Sequence, residues 1–128
     1  MPMTVQIFGV KDSRETRAAE RFFKERRVGI QFVDLKRRPM APDEIKRFID
    51  RFGWAGVLDS ESNPYVEAGL KYLKLSEEDA LARIEREPRL LRLPLVRVGK
   101  SVSIGGDTDA WNRMLQAGLG RDGAGTRA

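Results

Sequence analysis

Thr4-Val5-Gln6-Ile7-Phe8-Gly9-Val10 and Ile30-Gln31-Phe32-Val33-Asp34-Leu35 are the two stretches whose reading decides the fold. Each is short and rich in β-branched or aromatic residues, and the first runs out near a glycine, so each reads as a strand. Between them the pattern predicts a helix over about residues 13–27. Asp12 and Ser13 offer oxygens to cap its start through Asp12-x-x-Glu15, and Gly29 stands where it would stop. At about 100° per residue, Thr16, Ala18, Ala19, Phe22 and Phe23 share one arc, while Arg14, Arg17, Arg21 and Lys24 share the opposite one. One face packs on a sheet and the other is a basic stripe. A strand, a helix of this length and a second strand form a right-handed crossover, which makes the two strands parallel.

Beyond Leu35 the period changes to that of helices. Pro42 and Gly53 bracket a segment in which Ile45, Phe48, Ile49 and Phe52 recur at helical spacing. Asn63-Pro64 opens a third helix, and Ser76-x-x-Asp79 opens a fourth that runs to Glu87 and ends at Pro88. Tyr65 and Tyr72 read as packing residues of one helix face, and Trp54 and Trp111 as core aromatics. Strand character returns at Leu95-Val96-Arg97-Val98, turns at Gly99-Lys100 and continues as Ser101-Val102-Ser103-Ile104, a two-residue hairpin with glycine first. Asp107 caps a last helix through Leu115 that Gly118 closes, and the glycine-rich residues 119–128 read as a flexible tail. The expectation is an α/β domain over residues 1–118 with a four-stranded mixed sheet and a helical subdomain inserted at about 41–91.

The chain's 128 residues, 41% of them hydrophobic, suffice for one packed domain. It contains no cysteine and no histidine. That excludes a thiolate nucleophile, a disulfide, a zinc–sulfur site and any Ser-His-Asp or Cys-His arrangement. No metal site or cofactor is expected. The net charge is +5, and all of it falls in residues 1–40, where ten Lys/Arg face five Asp/Glu. No segment approaches the apolar length of a membrane helix and Met1-Pro2-Met3-Thr4 lacks the layout of a secretory signal, so a cytoplasmic protein with no membrane partner is expected.

Strand, helix, strand, helices, hairpin and helix follow one another in the thioredoxin plan with a helical insertion. Pro94 lies directly before the third strand, where thioredoxin-like proteins place a cis proline. From about Val5 to Leu115 the chain resembles the arsenate reductase-like ArsC/Spx family. The landmarks are Phe8-Gly9-Val10-Lys11, Pro39-Met40-Ala41-Pro42-Asp43-Glu44-Ile45 and Phe52-Gly53-Trp54. They continue with Leu75-Ser76-Glu77-Glu78-Asp79-Ala80, Pro88 before Arg92-Leu93-Pro94-Leu95, and the hairpin into Gly106-Asp107 and Trp111.

The resemblance implies a cysteine at the start of the first helix, where unpaired N–H groups and the helix dipole stabilise a thiolate. Ser13 stands there instead, without a base to ionise it. The family's two oxyanion-binding arginines fall at Glu61 and Leu93, while Arg92, one residue earlier, points away if the segment is extended. A dismantled active site is the resulting expectation, with no catalytic residue and with Ser13, Arg14, Arg17 and Pro94 as candidate binding residues.

Three functions follow. The first is a non-catalytic protein acting through protein contacts, as the Spx branch does with RNA polymerase, through Arg14, Arg17, Arg21, Lys24, Lys36, Arg37 and Arg38. The second is an arsenate reductase- or glutaredoxin-related enzyme, or a thiol-ligand-binding protein, that uses the groove near Pro94 to bind a small thiol such as glutathione. The third, weaker for want of a nucleic-acid motif, is nucleic-acid binding through the basic helix face.

Overall fold

The computed structural model describes residues 4–127, with side chains through Gly118. Strand β1 (Thr4–Gly9) pairs in parallel with β2 (Gly29–Asp34), in a register from Thr4 opposite Gly29 to Gly9 opposite Asp34. Helix α1 (Arg14–Glu25) makes the crossover. Strand β3 (Leu95–Val98) runs antiparallel to β1 on its other side, and β4 (Ser101–Ile104) completes the order β2-β1-β3-β4. Gly99 takes φ 60° at the hairpin turn, as its place there requires. The four-stranded mixed sheet expected from the sequence is thus the one observed, and the Leu93–Pro94 peptide bond is cis.

Alternation along the strands sends side chains to two cores. Val5, Ile7, Val96 and Val98 pack against Ala19, Phe22 and Phe23 of α1 and against Trp111, Met114 and Leu115 of the last helix. Phe8 and Leu95 face the other way, onto Ile45, Phe48 and Val57 of α2 (Pro42–Val57) and Ile84 of α4 (Glu77–Arg86). Between these two helices lie α3 (Asn63–Glu67) and a short 3-10 turn at Leu70–Tyr72, and a second such turn, Pro88–Leu90, leads back to the sheet.

Several boundaries differ from the sequence reading, each for a local reason. Ser13 alone caps α1, its Oγ accepting from the Thr16 N–H at 3.2 Å, while Asp12 faces away into ion pairs. The C-terminal signal is Arg27 rather than Gly29. Arg27 takes φ 57°, the Val28 N–H reaches the Phe23 carbonyl and the Arg27 N–H reaches the Lys24 carbonyl, which is a Schellman ending. Gly53, with φ 76° and ψ 167°, breaks α2 where the sequence places its end, and one further turn follows to Val57. Tyr65 packs on the core as expected, but α3 stops at Glu67 and leaves Tyr72 83% exposed. Helix α5 (Thr108–Arg127), capped by Asp107 as read, continues past Gly118, because glycine weakens a helix without blocking it and no proline follows Pro94. The flexible tail expected at 119–128 falls on residues whose side chains, and at Ala128 the backbone, lie outside the described residues. Among the described residues no helix is long and apolar enough to cross a membrane.

Candidate functional site

The loop from Val10 to Ser13 leaves the end of the central strand β1 and turns at once into α1. Close packing forces the turn. A Cβ on Gly9 would lie 2.4 Å from Thr16 Oγ1, so only glycine lets the first turn of α1 press against the strand end. The Ser13 N–H donates to the Val10 carbonyl at 3.1 Å and closes the loop. Ser13 is thereby delivered to the edge of a cleft of about 400 Å³ whose far walls come from the loop before α3 and from the turn before β3.

Leu93 lines this cleft and Glu61 stands in its wall, the positions where the resemblance leads one to look for arginines. Pro94 is buried beside Leu93 and is not itself part of the lining. Arg92 turns out of the cleft, as the extended backbone implied. Its Nε donates to the Gly56 carbonyl at 3.2 Å and its Nη2 to the Leu58 carbonyl at 3.3 Å, so it closes the end of α2.

A different arginine enters. Arg89, on the 3-10 turn Pro88–Leu90, forms an ion pair with Asp12, whose carboxylate also accepts from Lys36 Nζ at 3.2 Å. The Lys36 ammonium, and with it the Arg89 guanidinium, holds the Asp12 carboxyl below its ordinary value. Nothing periodic marks Arg89 in the sequence; it and Asp12 are 77 residues apart and meet only because the turn before β3 lies beside the loop after β1. The loop that supplies Glu61 is tied to the same turn, the Asp59 N–H donating to the Leu90 carbonyl at 2.8 Å.

The ionised groups of the lining are Asp12, Glu15, Asp59 and Glu61 against Arg14 and Arg89. Carboxylates outnumber cations by two, and one of the two cations is already paired with Asp12. Of the two lining guanidinium groups only Arg14 stands outside the ion pairs among the described residues, so the cleft lacks the pair of free arginines that would grip an oxyanion. The Ser13 hydroxyl has no base at hand: its described partner is the Thr16 N–H, and the chain has no histidine. Among the described residues no cluster of acidic side chains could hold a metal ion.

The candidate contact face is brought only partly together. Arg14, Arg17, Arg21 and Lys24 are exposed along α1, and Lys36, Arg37 and Arg38 are exposed after β2. Arg17 Nη1 donates to the Lys11 carbonyl at 3.1 Å while Lys36 reaches the neighbouring Asp12, so both flank one loop. Arg21 and Lys24 lie one to two turns further along the helix than Arg17. Arg38 faces a different cleft altogether.

A four-stranded mixed sheet with a cis proline before its third strand, a helical insertion, and a helix N-terminus at the end of the central strand define a protein of thioredoxin-like fold. The chain belongs to the ArsC family, whose description matches residues 8–114. It is 27% identical over 115 residues to the global transcriptional regulator Spx 2 of Oceanobacillus iheyensis, covering 88% of this chain and 84% of that one. Among solved structures, the arsenate reductase from Vibrio cholerae superimposes with a TM-score of 0.76 at 17% identity, over 89% of this chain and 99% of the other. The YffB protein does so with a TM-score of 0.76 at 20% identity, over 87% and 98%.

Proposed function

We propose that this ArsC-family protein works without redox chemistry of its own, by binding another protein. The observation that supports this most directly is the state of Ser13: its hydroxyl is committed to capping α1, in a cleft where carboxylates outnumber guanidinium groups. The same shortage of free guanidinium groups gives a small anionic thiol such as glutathione little to bind beside Leu93. Direct nucleic-acid binding has less support. Along α1 the cations alternate with Glu15, Glu20 and Glu25, and Lys36 is engaged by Asp12.

The partner we propose is RNA polymerase, on the likeness to a protein named as a global transcriptional regulator and on the expectation that the Spx branch acts there. The exposed cations Arg14, Arg17 and Arg21 supply the contact. The test measures binding to purified bacterial RNA polymerase for wild type and for the triple variant Arg14→Glu, Arg17→Glu, Arg21→Glu, at low and high salt, beside an arsenate-reduction assay. Expected are binding that falls with salt and is lost in the variant, and no reduction above buffer. Reduction abolished by Ser13→Ala, or binding unchanged in a folded variant, overturns the reading.

A further inference from the structure

A second cleft, of about 310 Å³, lies between the segment that follows β2 and the inner face of α4. It meets the Ser13 cleft only at Leu91, which lines both. Leu35, Met40, Ile45, Leu81 and Ile84 form half of its apolar lining. Three of these, Leu35, Ile45 and Ile84, are at most 7% exposed, so the core itself holds the wall in place. A hollow with fixed apolar walls does not have to be assembled by its ligand, and its size falls at the small end of the range for small-molecule sites.

Charge at the mouth indicates what fits. Arg38 and Glu85 are the only charged residues of the lining. Arg38 is exposed and belongs to none of the ion pairs formed among the described residues, whereas Lys36 of the same basic triplet is taken by Asp12. Arg37 does not line the cleft, and among the described residues no ion pair joins Arg38 to Glu85, so the Arg38 guanidinium keeps its donors free. A guanidinium beside an apolar hollow is the complement of a molecule with a compact apolar body and a carboxylate at one end, since the planar fork of arginine matches a carboxylate in two parallel hydrogen bonds.

We infer that this cleft binds a small apolar carboxylate, with its hydrocarbon portion between Met40, Leu81 and Ile84 and its carboxylate on Arg38. The site is independent of Ser13 and of the contact face on α1. Either an aliphatic or an aromatic acid satisfies the chemistry, so the experiment includes one of each.

The test follows methyl and amide NMR signals of the full chain during titration with octanoate, 1-naphthoate and the neutral control 1-octanol. Octanoate, naphthoate or both should give saturable shifts at Met40, Leu81 and Ile84, with octanol at least about tenfold weaker for loss of the charge-assisted bonds. Arg38→Glu, an exposed change that should leave the melting temperature unaltered, should weaken the acid by a similar factor. Leu81→Trp should abolish the shifts by filling the hollow. Which acid binds more tightly then identifies the ligand body. Absence of saturable shifts with both acids overturns the inference. So does equal binding of octanol and octanoate, or a response confined to the exposed Val66, Tyr72 and Leu73.

Discussion

At Ser13, chemistry and stability are separable. The hydroxyl caps α1, so Ser13→Ala should cost about 1 kcal/mol, and Ser13→Cys should keep the fold. Its thiol would sit at a helix N-terminus close to Arg14 and Arg17, and should titrate below the ordinary thiol value of about 8.5. Alkylation rate against pH measures this; a normal or raised value would show that the helix end no longer favours an anion. Asp12 is the second residue that decides the site. Lys36 and Arg89 hold its folded-state pKa below the unfolded one, so the stability those pairs contribute is present above the ordinary value of 3.8 and is lost as pH falls through the folded value. Thermal melts of wild type and Asp12→Asn should therefore differ near neutral pH and converge in acid well below 3.8. A gap that persists there would mean that Asp12 acts through something other than its charge.

Among the elements, α1 is the one whose placement sets the site, and both of its ends make predictions. At the start, Gly9→Ala puts a methyl group against Thr16 and should destabilise the fold by about 1–3 kcal/mol, the usual cost of overpacking. Thr16→Ala should recover part of that loss, because two of the three closest atoms belong to the Thr16 side chain beyond its Cβ. Additive losses in the double variant would mean that the crowding is not between these two residues. At the far end, Arg27 occupies the left-handed region at φ 57°, where a Cβ is unfavourable. Arg27→Gly should raise stability by about 0.5–1 kcal/mol in denaturant unfolding. A decrease would show that the Arg27 side chain contributes more than its backbone strain costs.

For the whole molecule, α1 separates a buried apolar face from an exposed basic one. Thr16, Ala19, Phe22 and Phe23 are buried against the sheet, and Arg14, Arg17 and Arg21 are exposed. Reversing all three charges should leave the thermal melt nearly unchanged, since exposed substitutions cost within about 0.5 kcal/mol each, while the binding to RNA polymerase that we propose, and its salt dependence, should collapse. A variant that melts much earlier than wild type would show that this face also holds the fold together.

Most of the architecture was legible from the chain because it depends on local patterns. Alternation over residues 4–10 and 95–104, the helical period from Ile45 to Phe52 and the caps Ser76 and Asp107 are each written within a few residues, and each element formed where they stand. Absence was equally legible, since no arrangement of the chain can supply a thiolate or an imidazole it does not contain. Boundaries set by backbone strain were less so. Arg27 takes the left-handed turn that the sequence reading assigned to Gly29, and α3 ends before Tyr72 and leaves it exposed. The character of the two clefts came only from the tertiary structure. Asp12 meets Lys36 across 24 residues and Arg89 across 77, and Leu35 and Ile45 meet Ile84 across comparable stretches. Such meetings depend on how strands and helices stack, and stacking places side chains together by distance in space, to which a periodicity read along the chain is blind.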